Sequence, residues 1–411
     1  MKRSPIQFYR ASYGKIHHEN WDALFKEKKL KNLFYHPSII AAAKPVGSKY
    51  QPNSIIAGYD GEEIVLLQPV KTTNQGFGKV VEILMMPRAD NIEPLVQHDQ
   101  REETLRAFTE YLKKEVRPDL LIARSVSEEF YLLLSECFSD YNIIVDGTRK
   151  GAFLDLPATM DDFLGSYKSN FRNQIKRKVK KGLEANLTHR TIDVDNLPEG
   201  YNLHQALDKL TELHSMRFDS MNRDSFFTKP AFQKFHQQLC ENQEGQPYRL
   251  TFTELLHEGE VIGSMYGIRS EQLYIFLMIG FDPNFADLSP GNLLIYYTIE
   301  DLINNKVEIF DFKCGQESYK KRWSKSFYTK YDMAISFTLR GDILYRLHHS
   351  NRFLRKIREK AGRSYRKVRT AFTTLFLALS STFWLSRIRL FFNGLGIEFE
   401  SCEFYLINLV Q

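Results

Sequence analysis

Cysteine is scarce. The 411 residues hold four, Cys137, Cys240, Cys314 and Cys402, all far apart in sequence. No CxxC pair or Cys/His cluster accompanies them, so neither a disulfide framework nor a zinc site is expected, and no metal ligand set stands out. The sequence reads as that of a cytoplasmic protein with reduced thiols. GxSxG, HExxH and the P-loop pattern are missing as well, which argues against hydrolase, zinc-protease and nucleoside-triphosphatase chemistry. The first residues, MKRSPIQFYRASYGK, contain no apolar h-region, and no signal peptide is expected. Long apolar runs are almost absent. The uncharged stretch Thr370–Ser386 is slightly short for a membrane span and is interrupted by Thr and Ser. The net charge of +6 is modest for this length, so the placement of charge matters more than its sum.

What is present is an apolar and aromatic content suited to a globular core, in a chain longer than one core usually sustains. Two domains are expected. Along the first third, helices at 19–30, 37–45, 100–115 and 127–137 alternate with strands at 54–59, 63–71, 80–86, near Ile122, and at 141–146. Residues 160–184 change character. Tyr167, Phe171, Ile175 and Val179 recur every four residues, and no acid occurs from Phe163 to Leu183. This predicts an amphipathic helix with a narrow apolar stripe and a strongly basic remainder. Helices follow at 204–219 and 230–241, then strands at 248–256, 261–268 and 272–281. A helix at 291–304, a strand at 307–312, a short helix at 316–323 and a strand at 327–339 complete the pattern. Residues 55–70 (IIAGYDGEEIVLLQPV) and 253–268 (TELLHEGEVIGSMYGI) both turn at an acid-Gly pair, and with the similar element order around them they point to a duplicated α/β unit.

Beyond residue 345 the chain carries nine Lys and Arg within 351–369 and then the uncharged run. A basic helix lying on an anionic membrane, a marginal anchor and a docked tail all fit this composition.

The chemistry concentrates in 273–323. A strand feeds a helix through Ser289-Pro290-Gly291-Asn292, which sets free N–H groups at a positive helix end, a physical recipe for a phosphate. A ligand is expected where the strands 272–281 and 307–312 part. An acyl-CoA suits that layout, with its pyrophosphate on Ser289 and the amides of Gly291, Asn292 and Leu293. Its pantetheine would run along Met278, Ile279 and Gly280. Arg217 is a candidate for holding an acceptor carboxylate or phosphate. Glu254, Asp282, Glu317 and His214 are candidates for a general base, with Asp282 favoured by its place at the strand end. The basic helix 166–181 could track a nucleic-acid backbone or an anionic glycan or lipid-linked substrate.

The pieces SYKSNFRNQIKRKVKK, HSMRF, EGEVIGSMYGI, LSPGNLLIYYTIEDL and DFKCGQESYKKRW, in that order, resemble a GNAT-type acyltransferase. The nearest likeness is to the CelD/BcsL branch associated with cellulose and exopolysaccharide biosynthesis, itself related to FemAB-like aminoacyl transferases with two GNAT-like lobes. The resemblance covers roughly residues 1–340. The SPGN loop departs from the usual GNAT phosphate loop, which has more glycine and a basic residue. The resemblance implies an α/β fold of tandem GNAT-like lobes, each a mixed sheet flanked by helices. Residues 1–155 would form a degenerate N-terminal lobe, 156–345 the catalytic lobe, and 346–411 a basic and hydrophobic tail. It implies acetyl-CoA as co-substrate and Tyr319 as the acid that protonates the departing thiolate, with Lys320 of the Tyr-Lys pair on the substrate. The expected acceptor is a sugar precursor of a cell-surface polysaccharide. The alternatives are an aminoacyl-tRNA-dependent transferase, the one reading that brings nucleic acid as a partner, and a non-catalytic partner of a polysaccharide synthase. The expected location is the cytoplasm, with peripheral contact to the inner membrane through the tail.

Overall fold

The computed structural model describes residues 5–12, 21, 24–25, 33–87, 89, 93–97, 101–223, 225–241, 243–315 and 317–349. Most of the expected helix 19–30, and the tail from residue 350, lie outside the described residues.

One mixed sheet of 13 strands forms the frame. Its first half contains β1 (Gln7–Ala11), β2 (Ser54–Asp60), β3 (Glu63–Gln75), β4 (Gly78–Ile83), β5 (Leu95–Val96), β6 (Leu120–Ser127) and β7 (Asn142–Asp155). The second half contains β8 (Leu187–Ile192), β9 (Arg249–His257), β10 (Glu260–Arg269), β11 (Leu273–Phe281), β12 (Ile309–Cys314) and β13 (Ser326–Ser336). The strand order is β1-β2-β3-β4-β6-β13-β7-β12-β11-β10-β9-β8, with β5 appended to β3. Among the described residues, two neighbouring pairs are parallel, β4 with β6 and β11 with β12. Each follows a run of antiparallel strands, so the halves repeat one design, as the paired hairpin motifs predicted. In both hairpins a glycine takes the left-handed turn position, Gly61 at φ 63° and Gly259 at φ 84°, which costs a residue without Cβ little.

The halves also exchange strands. β7 pairs with β12 on one side and β13 on the other, and β13 continues to β6. The sheet therefore runs on without a break across residue 155.

The helices used below are α1 (Pro37–Ala42), α2 (Arg101–Tyr111), α3 (Glu128–Cys137), α4 (Met160–Gly165), α5 (Ser169–Glu184), α6 (Leu203–Asp219), α7 (Pro230–Glu241), α8 (Pro290–Asn304) and α9 (Ser318–Trp323). The single amphipathic helix expected over 160–184 is two. Thr159 caps α4 by accepting from the Asp162 N–H, and the chain breaks at Ser166–Lys168 before α5 begins. Asn202 and Gln205 close a capping box on α6, which fixes its start.

Two cores lie on opposite faces of the second half. α6 and α7 cover one face with a core that continues into the first half through Phe34, Ile39 and Ile40. α4, α5, α8 and α9 cover the other around Ile175, Leu293, Phe312 and Trp323. Two adjacent residue pairs show how closely the layers approach. A Cβ at Gly263 would meet Leu294 of α8, whereas a Cβ at Gly280 would run into the backbone of Leu213 and His214 on α6.

Candidate active site

β11 and β12 stay together for only three register pairs, Leu273 with Ile309, Tyr274 with Phe310 and Ile275 with Asp311. Two bulges then drive them apart. On β11, Met278 pairs with Tyr266 and Phe276 with Gly267, so Leu277 is an extra residue. On β12, Asp311 pairs with Phe153 and Lys313 with Ala152, so Phe312 is extra, and Lys313 takes φ 64°. A bulge bends its strand and sharpens the local twist. With one on each strand, the parallel pair opens into a cavity of about 610 Å³. Phe276 and Leu277 form one wall, Phe312, Lys313 and Cys314 the opposite one, and Gly315, Glu317 and Lys320 the end. Thr148, Arg149 and Lys150 arrive from β7. The matching opening in the first half, beside Ile83, Leu84, Ile122 and Arg124, holds about 30 Å³. A larger open hollow of about 790 Å³ lies between the edge strand β1 and α2, at the far end of the sheet from β11 and β12.

Tyr319 follows the cavity on α9. Its half-buried ring meets Phe312 edge-on, with centroids 6.0 Å apart. α9 is anchored by Trp323, which is fully buried against Phe163 and Phe171 and whose carbonyl accepts from the Tyr167 hydroxyl. Lys320 is buried. Its ammonium donates to the carbonyls of Lys313 and Cys314 and pairs with Glu317 at 3.2 Å, so it ties the loop together as well as lining the cavity.

Arg217 comes from α6 to the end of β11. It donates to the Ile279 carbonyl at 3.3 Å and lies over the Phe281 ring. Burial holds its guanidinium below the usual arginine value, while nearby Tyr319 and Glu317 push the other way. The structure thus brings Arg217, Ile279, Tyr319, Glu317 and Lys320 to one neighbourhood.

Met278, Ile279 and Gly280 occupy the splayed end of β11. Met278 belongs to the α6 face, Ile279 to the α8 face, and Gly280 lets α6 approach. At the start of α8, Ser289 rather than glycine takes the left-handed position, at φ 59°. Its carbonyl already accepts from the N–H groups of Asn292 (2.9 Å) and Leu293 (3.3 Å). Among the described residues the Gly291 N–H has no acceptor, and a Cβ at Gly291 would meet Phe281 at ordinary van der Waals distance.

The base candidates separate. Asp282 accepts from the Asn284 N–H at 2.9 Å and caps the turn after β11, and it does not line the cavity. Glu254, fully buried on β9, is bound by Arg190 and by the Tyr201 hydroxyl. His214 contacts Ser225 at 2.8 Å and stacks on Phe218 inside the α6 face. Glu317 lines the cavity. Sequence reading missed Arg149, Lys150 and Lys313. The first two reach the site through a strand pairing far removed in sequence, and Lys313 through a bulge that no local pattern announces.

Residues 169–321, from α5 to α9, match the family model of the acetyltransferase (GNAT) domain. The chain carries a GNAT acetyltransferase domain. The expectation of a GNAT-family acyltransferase holds. Among solved structures, FemX aligns with TM-score 0.60 at 12% identity over 82% of this chain and 99% of that chain. A conserved protein of unknown function from Bacteroides thetaiotaomicron VPI-5482 aligns with TM-score 0.49 at 12% identity, over 80% and 99%. A tandem GNAT protein from the clavulanic acid biosynthesis pathway aligns with TM-score 0.39 at 12% identity, over 80% and 98%. The FemX likeness shows a shared fold across almost all of that protein. No curated protein matches the sequence. Among the described residues, no group of His, Cys, Asp and Glu is placed to hold a metal, and no helix is long and apolar enough to cross a membrane.

Proposed function

We propose that the chain is an acyl-CoA-dependent N- or O-acyltransferase, in the simplest case an acetyltransferase, working in its C-terminal GNAT domain. The observation that carries this reading is the opened β11–β12 splay beside Tyr319, against a first-half counterpart almost closed at about 30 Å³. The donor lies with its pyrophosphate at Ser289 and the Gly291 N–H, and its pantetheine along Met278–Gly280. The acceptor nucleophile attacks the thioester carbonyl, the C–S bond breaks, and the Tyr319 hydroxyl gives its proton to the thiolate. The proton leaving the nucleophile passes to Glu317 directly or through water, a role that moves from Asp282 because Glu317 lines the cavity and Asp282 does not. Following the CelD/BcsL resemblance, the acceptor is a sugar precursor of a cell-surface polysaccharide, handled in the cytoplasm.

Calorimetric titration with acetyl-CoA, followed by thiol release in the presence of amino sugars and sugar nucleotides, tests this. Tyr319→Phe should lower kcat by about 10²-fold or more while acetyl-CoA affinity is little changed. An unaltered kcat would remove Tyr319 from the chemistry.

The second reading, an aminoacyl-tRNA-dependent transferase, draws on α5. Lys176, Arg177, Lys180 and Lys181 are exposed there, and Arg322 of α9 is close enough to depress Lys178, already lowered by burial. Protection of α5 from proteolysis by tRNA, with no thermal shift from acetyl-CoA, would favour it over the acyl-CoA reading.

A further inference from the structure

We infer that the outer face of α5 is a docking surface for an anionic membrane. The inference goes beyond acyl transfer and holds whichever donor the catalytic site uses.

A water-facing helix is helped by mixed charge signs along its face and by acids in its first turn. α5 has neither along most of its length. No acid occupies its first turn, and Lys168 stands at its N-cap, against the positive end of the helix. Arg172 with Lys176, Lys176 with Lys180, and Arg177 with Lys181 are like charges one turn apart, and each pair works against the helix. Acids relieve only the C-terminal end, where Lys180 pairs with Glu184 at 3.7 Å and Lys181 with Asp287 at 3.0 Å. Lys176 and Arg177 are exposed and form no ion pair among the described residues. α9 adds to the same field. Its Trp323 meets Phe171 of α5 edge-on, with centroids 5.3 Å apart, and its Lys321 and Arg322 are exposed. Folding gains nothing from this arrangement, whereas a negatively charged surface attracts every member of it.

What accompanies the cations identifies the partner. Tyr167 is buried and Phe171 half-buried, so α5 shows no aromatic platform on which bases could stack. Leu183 is exposed instead, at 60%. It lies three residues from Lys180 and seven from Lys176, which puts it on the face that those lysines share. An aliphatic side chain offers nothing to a phosphate backbone. At a bilayer it enters the acyl boundary while the neighbouring lysines meet the headgroups.

The test is sedimentation of the full chain with vesicles of mixed phosphatidylglycerol and phosphatidylcholine, against vesicles of phosphatidylcholine alone. The variants are Lys176→Gln, Arg177→Gln, the two combined, and Leu183→Ser. All three side chains are exposed, so Tm should hold in each. Expected is binding to the mixed vesicles only, weakened about fivefold by each single variant and roughly 25-fold by the charge pair. Added salt should weaken it further. Mixed-vesicle binding that every variant retains overturns the assignment and moves membrane contact elsewhere in the chain, such as the basic run 351–369. Absence of binding to either vesicle overturns it outright. Binding of transfer RNA that depends on Lys176 and Arg177 but not on Leu183, in a protein that leaves vesicles in solution, overturns it and gives the face to nucleic acid. Calorimetric titration of the same samples with acetyl-CoA keeps the readings apart. Vesicle binding through α5 in a protein that ignores acetyl-CoA keeps the docking surface and removes the donor reading, and acetyl-CoA binding without vesicle attachment does the reverse.

Discussion

At Glu254 and Glu93, acidic side chains sit inside the protein for structural reasons that can be told apart from catalysis. Glu254 accepts from Tyr201 at 2.7 Å and pairs with Arg190 at 2.6 Å on the β8–β9 side of the sheet. Replacing it with alanine takes the acceptor from the partly exposed Arg190 and from the Tyr201 hydroxyl, and a loss of about 1–3 kcal/mol is expected. Urea unfolding should show this, while kcat per folded molecule stays at the wild-type value. A collapse of kcat with stability unchanged would restore Glu254 as a base. Glu93 carries the pH dependence. Burial works to raise its carboxyl, but Arg101 and Lys330, aided by Ser127, more than offset that and hold it below the usual carboxylate value. A depressed carboxylate contributes stability above its unfolded pKa of about 4.3, and that contribution fades as pH falls through the lower folded value. Glu93→Gln should therefore be less stable than wild type at pH 7, with the gap narrowing below about pH 4. A gap independent of pH would deny the ionised pair its role. Gly291→Ala separates fold from ligand in the same way. The fold leaves room for the methyl group and alanine favours helix, so thermal stability should hold or rise slightly, whereas acetyl-CoA affinity should fall.

Elements show where sequence periodicity suffices and where it does not. The strands of the second half read clearly because both of their faces are covered, and 273–281 is buried from Leu273 through Gly280. The helix at 203–219 was legible from its spacing. β8 was not, since LTHRTI is an edge strand whose outer residues are polar and which has no uninterrupted apolar run. The local pattern predicts a strand that ends at 146, but β7 continues to Asp155, because pairing with β12 and β13 holds a polar stretch extended. Of the site, the strand-loop-helix at 273–304 and the Tyr-Lys pair were visible, while the basic wall from β7 was not, because it depends on non-local pairing. The contact between α6 and β11 gives this scale its test. Gly280→Ala would force a methyl group into the α6 backbone, with Leu213 C at 2.8 Å, and backbone cannot swing aside as a side-chain tip can. A loss of about 1–3 kcal/mol is expected from overpacking alone, and Arg217 would shift with its helix. Calorimetry should show a lower Tm together with weaker substrate binding. A variant as stable as wild type would mean that α6 is free to move off the sheet.

Across the whole molecule, the strand exchange couples two halves that resemble independent lobes. β13 enters the sheet between β6 and β7, and β7 between β13 and β12, so each half closes its sheet with a strand from the other. The first-half core continues into the second through α1, where Ser38 bonds both Gln246 and Tyr248. Cutting at residue 155 would leave the fragment 1–155 without β13, exposing the edge of β6 and the apolar face that Met333 and Ile335 cover. The fragment 156–349 would lose β7, and with it Arg149 and Lys150 from the cavity wall and the partner of β12. Open sheet edges bearing apolar faces aggregate or fail to order. Expressed separately, neither fragment should unfold cooperatively, whereas 1–349 should melt in one transition, and mixing the fragments should recover acetyl-CoA binding only if β7 and β13 re-pair. If 156–349 alone folds and binds acetyl-CoA with the affinity of the intact chain, the exchanged strand is dispensable and the N-terminal half is a separable domain. The exchange also accounts for the unequal openings of 610 and 30 Å³. With both halves locked into one sheet, the first can close its own splay and serve as the rigid wall against which the second keeps its cavity open.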